Sequence, residues 1–383
     1  MRTARLLSLL VLTGGLSLSA CDSLAPDAPG GQTLHFTNDP SIATRLQRVA
    51  GTPQTVAGKT QTVTLDVVGK VAPMTISGAT AFANGIQLVD GKVFVTYITP
   101  GNAFGGGIDL LDPSDPMNTR SAKSSFSDVF DVSGVAVRGD AMYVSGSVKE
   151  GTATGAGTIK KDNGAFVIQT SVSDMETSTA FANLESGDVT DIAFGSDGNL
   201  YATSGATGRA YTLSTSLKTL ASWKQNELRS ILPAAGGVYA LSGKGLHFSA
   251  TGVSSSRVNY QPVLTLDGLT TAGLARMSQS EGYLYVPLNR GGLSVLDQRT
   301  NKEVTRVQGG TFNGVAAVKD FVFVANADGG LVAYQWNATR TVLTDARRID
   351  LDGLEANHVV YANGYLFVAA ADGGVRIVRV DVS

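Results

Sequence analysis

The chain has 383 residues, of which 43% are hydrophobic and only 16% charged, with 45 glycines and a formal net charge of −2. Low charge, many Gly, Thr, Ser and Val, and few runs of helix formers point to β structure rich in turns. No basic run or stripe is present, which argues against nucleic acid as a partner.

Arg2 and Arg5 precede an apolar stretch from Leu6 to Leu18. Such a charge stays cytoplasmic while a short apolar run inserts, and this run is too short for a comfortable transmembrane helix. It leads into Leu18-Ser19-Ala20-Cys21. That order of one apolar residue, two small residues and a cysteine resembles the lipobox of bacterial lipoproteins. The resemblance implies that residues 1–20 are a signal peptide and that Cys21 is lipidated, with the membrane as a partner through that lipid. Cys21 is the only cysteine, so no disulfide forms within the chain. Loss of Arg2 and Arg5 takes the net charge to about −4. Asp22 resembles the inner-membrane retention signal of enterobacterial lipoproteins. The expected location is the cell envelope, on the periplasmic or cell-surface face. Residues 21–60, broken by Pro26, Pro29, Pro40 and Pro53, read as the lipidated cysteine and a flexible tether. A short strand or helix fits around Ile42 to Val49.

From residue 61 to 383 the chain repeats. Each copy has a small or polar residue before a short apolar strand, then a turn, then an aromatic-led strand. The copies read Gly85-Ile86 with Phe94, Gly134-Val135 with Tyr143, Asp191-Ile192 with Tyr201 and Ser230-Ile231 with Tyr239. They continue as Gly273-Leu274 with Tyr285, Gly314-Val315 with Phe323 and His358-Val359 with Phe367. The first apolar residue and the aromatic are 8 apart in five copies, 9 in copy three and 11 in copy five. That register suits a hairpin burying opposed side chains, with Asp90-Gly91, Asp197-Gly198 and Asn363-Gly364 as turn dipeptides. Glycine opens a third strand at Gly106-Gly107, Gly291-Gly292, Gly329-Gly330 and Gly373-Gly374.

The last copy ends at Ser383 with three strands, and a spare outer-type strand lies at residues 61–69. Lending it to the last blade closes a ring and removes the open sheet edge. The expected fold is therefore all-β: a seven-bladed β-propeller of four-stranded antiparallel blades, closed by an N-terminal strand joining the last blade. The mean period of about 45 residues agrees. Leu110-Leu111-Asp112-Pro113-Ser114-Asp115-Pro116 resembles the signature of LVIVD-repeat propellers, and Leu293–Asp297 and Ile377–Asp381 are weaker copies. Copies two to four lack the motif. Copy three, with Ser196-Asp197-Gly198-Asn199-Leu200, instead looks like an NHL or gluconolactonase blade. The LVIVD resemblance implies an extracellular or envelope location and no agreed chemistry.

Propellers bind ligands at the channel, on loops entering the innermost strands. Those positions offer Asn84, Asp191, Arg229, Asn313 and His358 as a candidate polar channel mouth, among glycines that let strands converge. A lactonase-type site needs a hard-metal cage drawn from several blades. Only Asp191 supplies a carboxylate at the aligned positions, with Glu185 and Asp188 on the same blade, so no metal is expected. His35, His247 and His358 lack zinc-ligand spacing. No G-x-S-x-G elbow or phosphate loop occurs. The run Gly151–Gly157 reads as a long hairpin loop, and Trp223 and Trp336 as packing between blades. The reading is a lipid-anchored, non-catalytic binding or scaffold module for a protein or envelope polymer, with no cofactor. The alternatives are a periplasmic lactonase-like hydrolase with its site in the channel, and a carbohydrate or cell-wall binder.

Overall fold

A computed structural model describes residues 34–57, 61–149, 152–154, 157–158, 164–250, 260–265 and 274–383. The signal-peptide stretch, Cys21, Gly273, and Gly151, Gly155 and Ala156 of the Gly151–Gly157 run lie outside the described residues. Alternating apolar residues and tight turns give antiparallel hairpins, and these assemble into seven blades. Blade 1 runs outward from the channel through Phe82–Val89, Lys92–Ile98, Gly106–Leu111 and Lys123–Ser127. The inner strands of blades 2 to 7 are Phe130–Arg138, Val189–Phe194, Leu228–Ala234, Ser278–Ser280, Phe312–Val318 and His358–Ala362.

The core is divided among the blade interfaces. Phe94, Tyr143, Tyr201, Tyr239, Tyr285, Phe323 and Phe367 all lie at 5% exposure or less. Each packs against the following blade: Phe94 with Phe130 and Val135, Tyr285 with Phe312 and Val315, Phe367 with Ala83 and Ile86. Burying one such ring stabilises the interface by roughly 2–3 kcal/mol. The second-strand aromatic is therefore what fastens each blade to the next.

Pairing corrects the fifth copy. Ser278 stands opposite Tyr285, as Gln87 stands opposite Phe94 and Ala136 opposite Tyr143. The fifth copy is thus Arg276-Met277, not Gly273-Leu274, and its spacing becomes the common 8. Copy three keeps its spacing of 9 because its hairpin turn is longer. There Asp197 accepts hydrogen bonds from Asn199 N (3.1 Å) and Tyr201 Oη (2.7 Å). Asp90-Gly91 (φ 49° and 70°) and Asn363-Gly364 (φ 49° and 85°) are left-handed at both positions, as a two-residue hairpin turn requires. The third-strand glycines have a steric cause as well. At Gly292, Gly330 and Gly374 φ is 86°, 65° and 73°, and a Cβ would stand 2.0–2.2 Å from the carbonyl oxygens of Val307, Ile349 and Val71.

Closure follows the expected topology. Thr62–Val71 pairs antiparallel with Val375–Val382 as the fourth strand of blade 7. Thr62 and Ser383 exchange two backbone hydrogen bonds of 2.9 Å. The tether reading of residues 21–60 needs correction from Leu34 to Ala57. Thr37–Asn38 extends blade 1, while Leu46–Arg48 and Gln54–Ala57 pair with the closing strand of blade 7. Leu34, Phe36, Ile42, Leu46 and Val56 are buried. This segment is a strap over the outer edges of blade 1 and of the closing strand of blade 7.

The strap is locked by Arg45. Its guanidinium bonds both carboxylate oxygens of Asp109, at 2.6 and 2.9 Å, and donates to Ala72 O and Ser124 Oγ at 2.9 Å. Tyr97 donates to the same carboxylate at 2.7 Å. Asp109 is 0% exposed. Burial alone would lower the Arg45 pKa, but Asp109 holds it raised. Arg45→Ala strands a buried carboxylate, so it is expected to cost roughly 3–5 kcal/mol in reversible denaturation. An effect within about 0.5 kcal/mol, the range of ordinary surface substitutions, would show that the strap does not brace the ring.

Candidate functional site

Strands converging on one axis leave one edge unpaired, and buried backbone N–H groups need acceptors. The inner edges enclose an open-ended cavity of about 570 Å³, with Asp191, Arg276 and His358 among its lining residues. The first copy position of each blade forms a ring of Gly85, Gly134, Asp191, Ser230, Arg276, Gly314 and His358. A bulge just before it, as between Ala83 and Gly85 or Phe312 and Gly314, turns the next N–H toward the axis.

Ring side chains cap those N–H groups. His358 Nδ1 accepts from Ile86 N of blade 1 at 3.1 Å. Gln87 Oε1, two residues beyond Gly85, accepts from Val135 N of blade 2 at 2.6 Å. Asp191 accepts from its own Ile192 N and from Ile231 N of blade 4, both at 3.0 Å. Ser230 Oγ accepts from Met277 N of blade 5 at 3.1 Å and donates to Asp191 at 2.8 Å. Arg276 then spans the channel. Its Nη1 meets Asp191 Oδ1 at 2.6 Å, and its Nη2 donates to Thr190 O at 3.2 Å and to Ser133 O. Gly85 leaves room for it, since a Cβ there would already stand 3.6 Å from Arg276 Nη2.

Of the five predicted mouth residues, Asp191 and His358 line the cavity. Asn84, Arg229 and Asn313 sit one position earlier, on the bulges, and are buried between blades. Asn84 Nδ2 donates to Val132 O of blade 2 at 3.3 Å, and Asn84 Oδ1 accepts from Thr96 Oγ1 at 2.8 Å. Arg229 donates to Asn289 Oδ1 at 2.7 Å. Asn289 bonds Asn313 Oδ1 at 2.9 Å and also Leu274 O. The bulge points a side chain sideways into the adjoining blade, which spacing alone does not reveal. Asn289, left-handed at φ 50° and 1% exposed, and Arg276 were missed in the sequence. A strict eight-residue register applied to copy five would have found Arg276.

Electrostatically the ring is nearly closed. Asp191 is spent on three neutral donors, Ile192 N, Ile231 N and Ser230 Oγ, and one guanidinium. Burial first, and the Arg276 charge second, push the His358 pKa down to about 3. It is therefore a neutral acceptor at Nδ1, with its proton on Nε2. Burial raises the carboxyl pKa of Asp131 and Asp188 at the same end of the blades. Among the described residues no group of three or more His, Cys, Asp or Glu could hold a metal ion. His247 packs at 5.0 Å from Trp223, whose indole stacks on Tyr260 at 4.7 Å, and Trp336 donates to Tyr285 at 3.2 Å.

No family model and no curated protein matches the chain. Solved structures do. The computationally designed Ika8 protein aligns at TM-score 0.54 and 12% identity, over 88% of this chain and 98% of that one. The WD40 β-propeller domain of Doa1 aligns at TM-score 0.53 and 13% identity, over 80% and 96%. At such identities the likeness is one of fold, a β-propeller, and the seven blades are those of this chain's own sheets.

His358 makes a testable link to pH. A histidine at 6.5 unfolded and about 3 folded is protonated first in the unfolded chain. Its contribution is whole above pH 6.5 and is lost as pH falls toward about 3, at most roughly 4–5 kcal/mol. Asp131 and Asp188, raised by burial, slope the other way, so a difference measurement isolates the histidine. His358→Gln, which can still accept from Ile86, is expected to flatten the acid limb of chemical-denaturation stability relative to the parent. Parallel limbs would contradict the neutral buried imidazole.

Proposed function

We propose that this chain is a lipid-anchored cell-envelope propeller that works as a non-catalytic binding or scaffold module for a protein or envelope polymer. The observation that carries this reading is the use of the axial polar residues. Asp191, Asn84, Arg229 and Asn313 are consumed by bonds within and between blades. Among the described residues no base and nucleophile are left in reach of one another there, which favours the faces and rim of the disc as the working surface. The strap supports an anchored role. It lays residues 34–57 along the rim of blades 1 and 7, and a lipid on Cys21 would hold the disc by that edge. The LVIVD-like stretch supports an envelope propeller too. Strand Gly106–Leu111 runs into Asp112, which accepts from Ser114 N at 2.9 Å and Ser114 Oγ at 2.6 Å in a tight polar turn.

The first test is affinity purification of the native protein from membranes, with mass spectrometry and metal analysis of the same eluate. A stoichiometric partner without metal is expected. A monomer carrying one tightly held divalent ion would overturn the scaffold reading. Cys21→Ser is expected to move the protein from the membrane fraction to the soluble fraction and to abolish incorporation of labelled fatty acid. Unchanged fractionation and labelling would reject the anchor.

A further inference from the structure

Among the described residues, the capping of inner-edge N–H groups is incomplete in one sector. Blades 1 to 5 each have an acceptor for theirs: His358, Gln87, Asp191 for two, and Ser230. The equivalent groups in blades 6 and 7 are Val315 N and Val359 N. The ring residues preceding them are Arg276 and Gly314. A guanidinium has no acceptor and glycine has no side chain. The only acceptor on blade 7's own ring residue, His358 Nδ1, is occupied by Ile86. Two backbone donors are thus directed to the axis at the same level, on neighbouring blades.

Two side-chain donors accompany them. Arg276 is 3% exposed, and its Nε is buried with no hydrogen-bond partner. His358 carries its free proton on Nε2, and its ring leans over Gly314, where a Cβ would stand 2.2 Å from His358 Cδ2. Arg276, Gly314 and His358 are consecutive members of the ring. Arg276 N is bonded to Asn313 O at 2.8 Å, which fixes blade 5 against blade 6 at this level. Arg276, Val315, His358 and Val359 line an open cavity of about 570 Å³, within the roughly 300–1,000 Å³ of small-molecule sites. Farther along, the wall includes Val137, Phe194, Pro233, Ala317 and Tyr361.

We propose that the channel binds a small organic carboxylate, its oxygens held by Val315 N, Val359 N, Arg276 Nε and His358 Nε2, and its apolar body lying along the channel wall. A carboxylate fits because the sector supplies donors only, one of them cationic, while Asp191 already balances the far side of the same guanidinium. A neutral apolar ligand would leave four donors unanswered, at a cost of about 1–3 kcal/mol for each buried group. A metal cation would meet only donors. This inference does not depend on the anchor or on a macromolecular partner.

The test is a titration of the full chain with sodium benzoate, observed through the imidazole resonances of its three histidines, with acetate and inorganic phosphate as parallel probes. The His358 signal is assigned by its absence in His358→Gln. Saturable movement of His358 alone is expected, with acetate weaker because it lacks the apolar body. Arg276→Lys keeps a cation for Asp191 but removes the Nε donor, and is expected to weaken benzoate roughly tenfold or more. The parent titration stands even if that variant folds poorly. No movement of His358 at about 10 mM benzoate, where even a ~1 mM site would be mostly filled, overturns the proposal. So does a response to phosphate alone, or benzoate affinity unchanged in a folded Arg276→Lys protein.

Discussion

Seven strands present an unpaired edge to one axis, and every backbone N–H on that edge must find an acceptor where water is scarce. Ring side chains meet this constraint by reaching across to a neighbouring blade. His358 serves blade 1, Asp191 serves blade 4 and Ser230 serves blade 5. Arg276 goes farther, from blade 5 to backbone and side chain on blades 2 and 3. A buried Arg–Asp pair is stable only when the remaining donors and lone pairs are also answered. Here the answers come from the same edges that need fastening. The pair and the backbone of the inner strands therefore stabilise each other, and neither stands well alone.

Closure at the rim follows a related logic. A ring of sheets is continuous only where its first and last strands meet, and that meeting joins residues from opposite ends of the domain. Such long-range pairing forms late and slowly, because the intervening chain must be ordered first. The closing strand, Thr62–Val71, is backed by two further short strands and by Arg45 in its carboxylate socket. The strap touches blade 1 through Thr37–Asn38 and blade 7 through Leu46–Arg48. It thus ties the outer edge of blade 7, at the closing strand, to the outer edge of blade 1.

Much of this was legible because one physical requirement repeats. Each blade must bury an aromatic against the next, so Phe94, Tyr143, Tyr201, Tyr239, Tyr285, Phe323 and Phe367 mark the register without any structure. The displaced outer strand was legible for the same reason, as a pattern in excess at one end and missing at the other. What stayed hidden were residues whose role depends on partners far away in sequence. Arg45 sits in a stretch with little apolar periodicity, and only the fold sets it against Asp109, 64 residues on. Arg276 was masked because an arginine does not look like the small residue its position holds elsewhere. Asn84 and Asn313 looked like a mouth because a bulge reverses the side-chain alternation that a regular strand would obey.

Polarity at a propeller axis is therefore ambiguous until the inter-blade bonds are subtracted. Asp191 has the most catalytic appearance of any residue in the channel, yet its oxygens are answered by Ile192, Ser230, Ile231 and Arg276. His358 looks like an acid–base residue, but its accepting nitrogen belongs to Ile86 and burial keeps the ring neutral. What distinguishes blades 6 and 7 is a shortage of acceptors rather than an abundance of reactive groups. Blade 6 cannot cap Val359 as Ser230 caps Met277, because a Cβ at Gly314 would stand 2.2 Å from Cδ2 of the His358 ring. Glycine there instead leaves the donor open beside an arginine whose Nε is also unanswered. The departure from the pattern of the other blades, more than any single side chain, marks that sector as a place for something other than the fold itself.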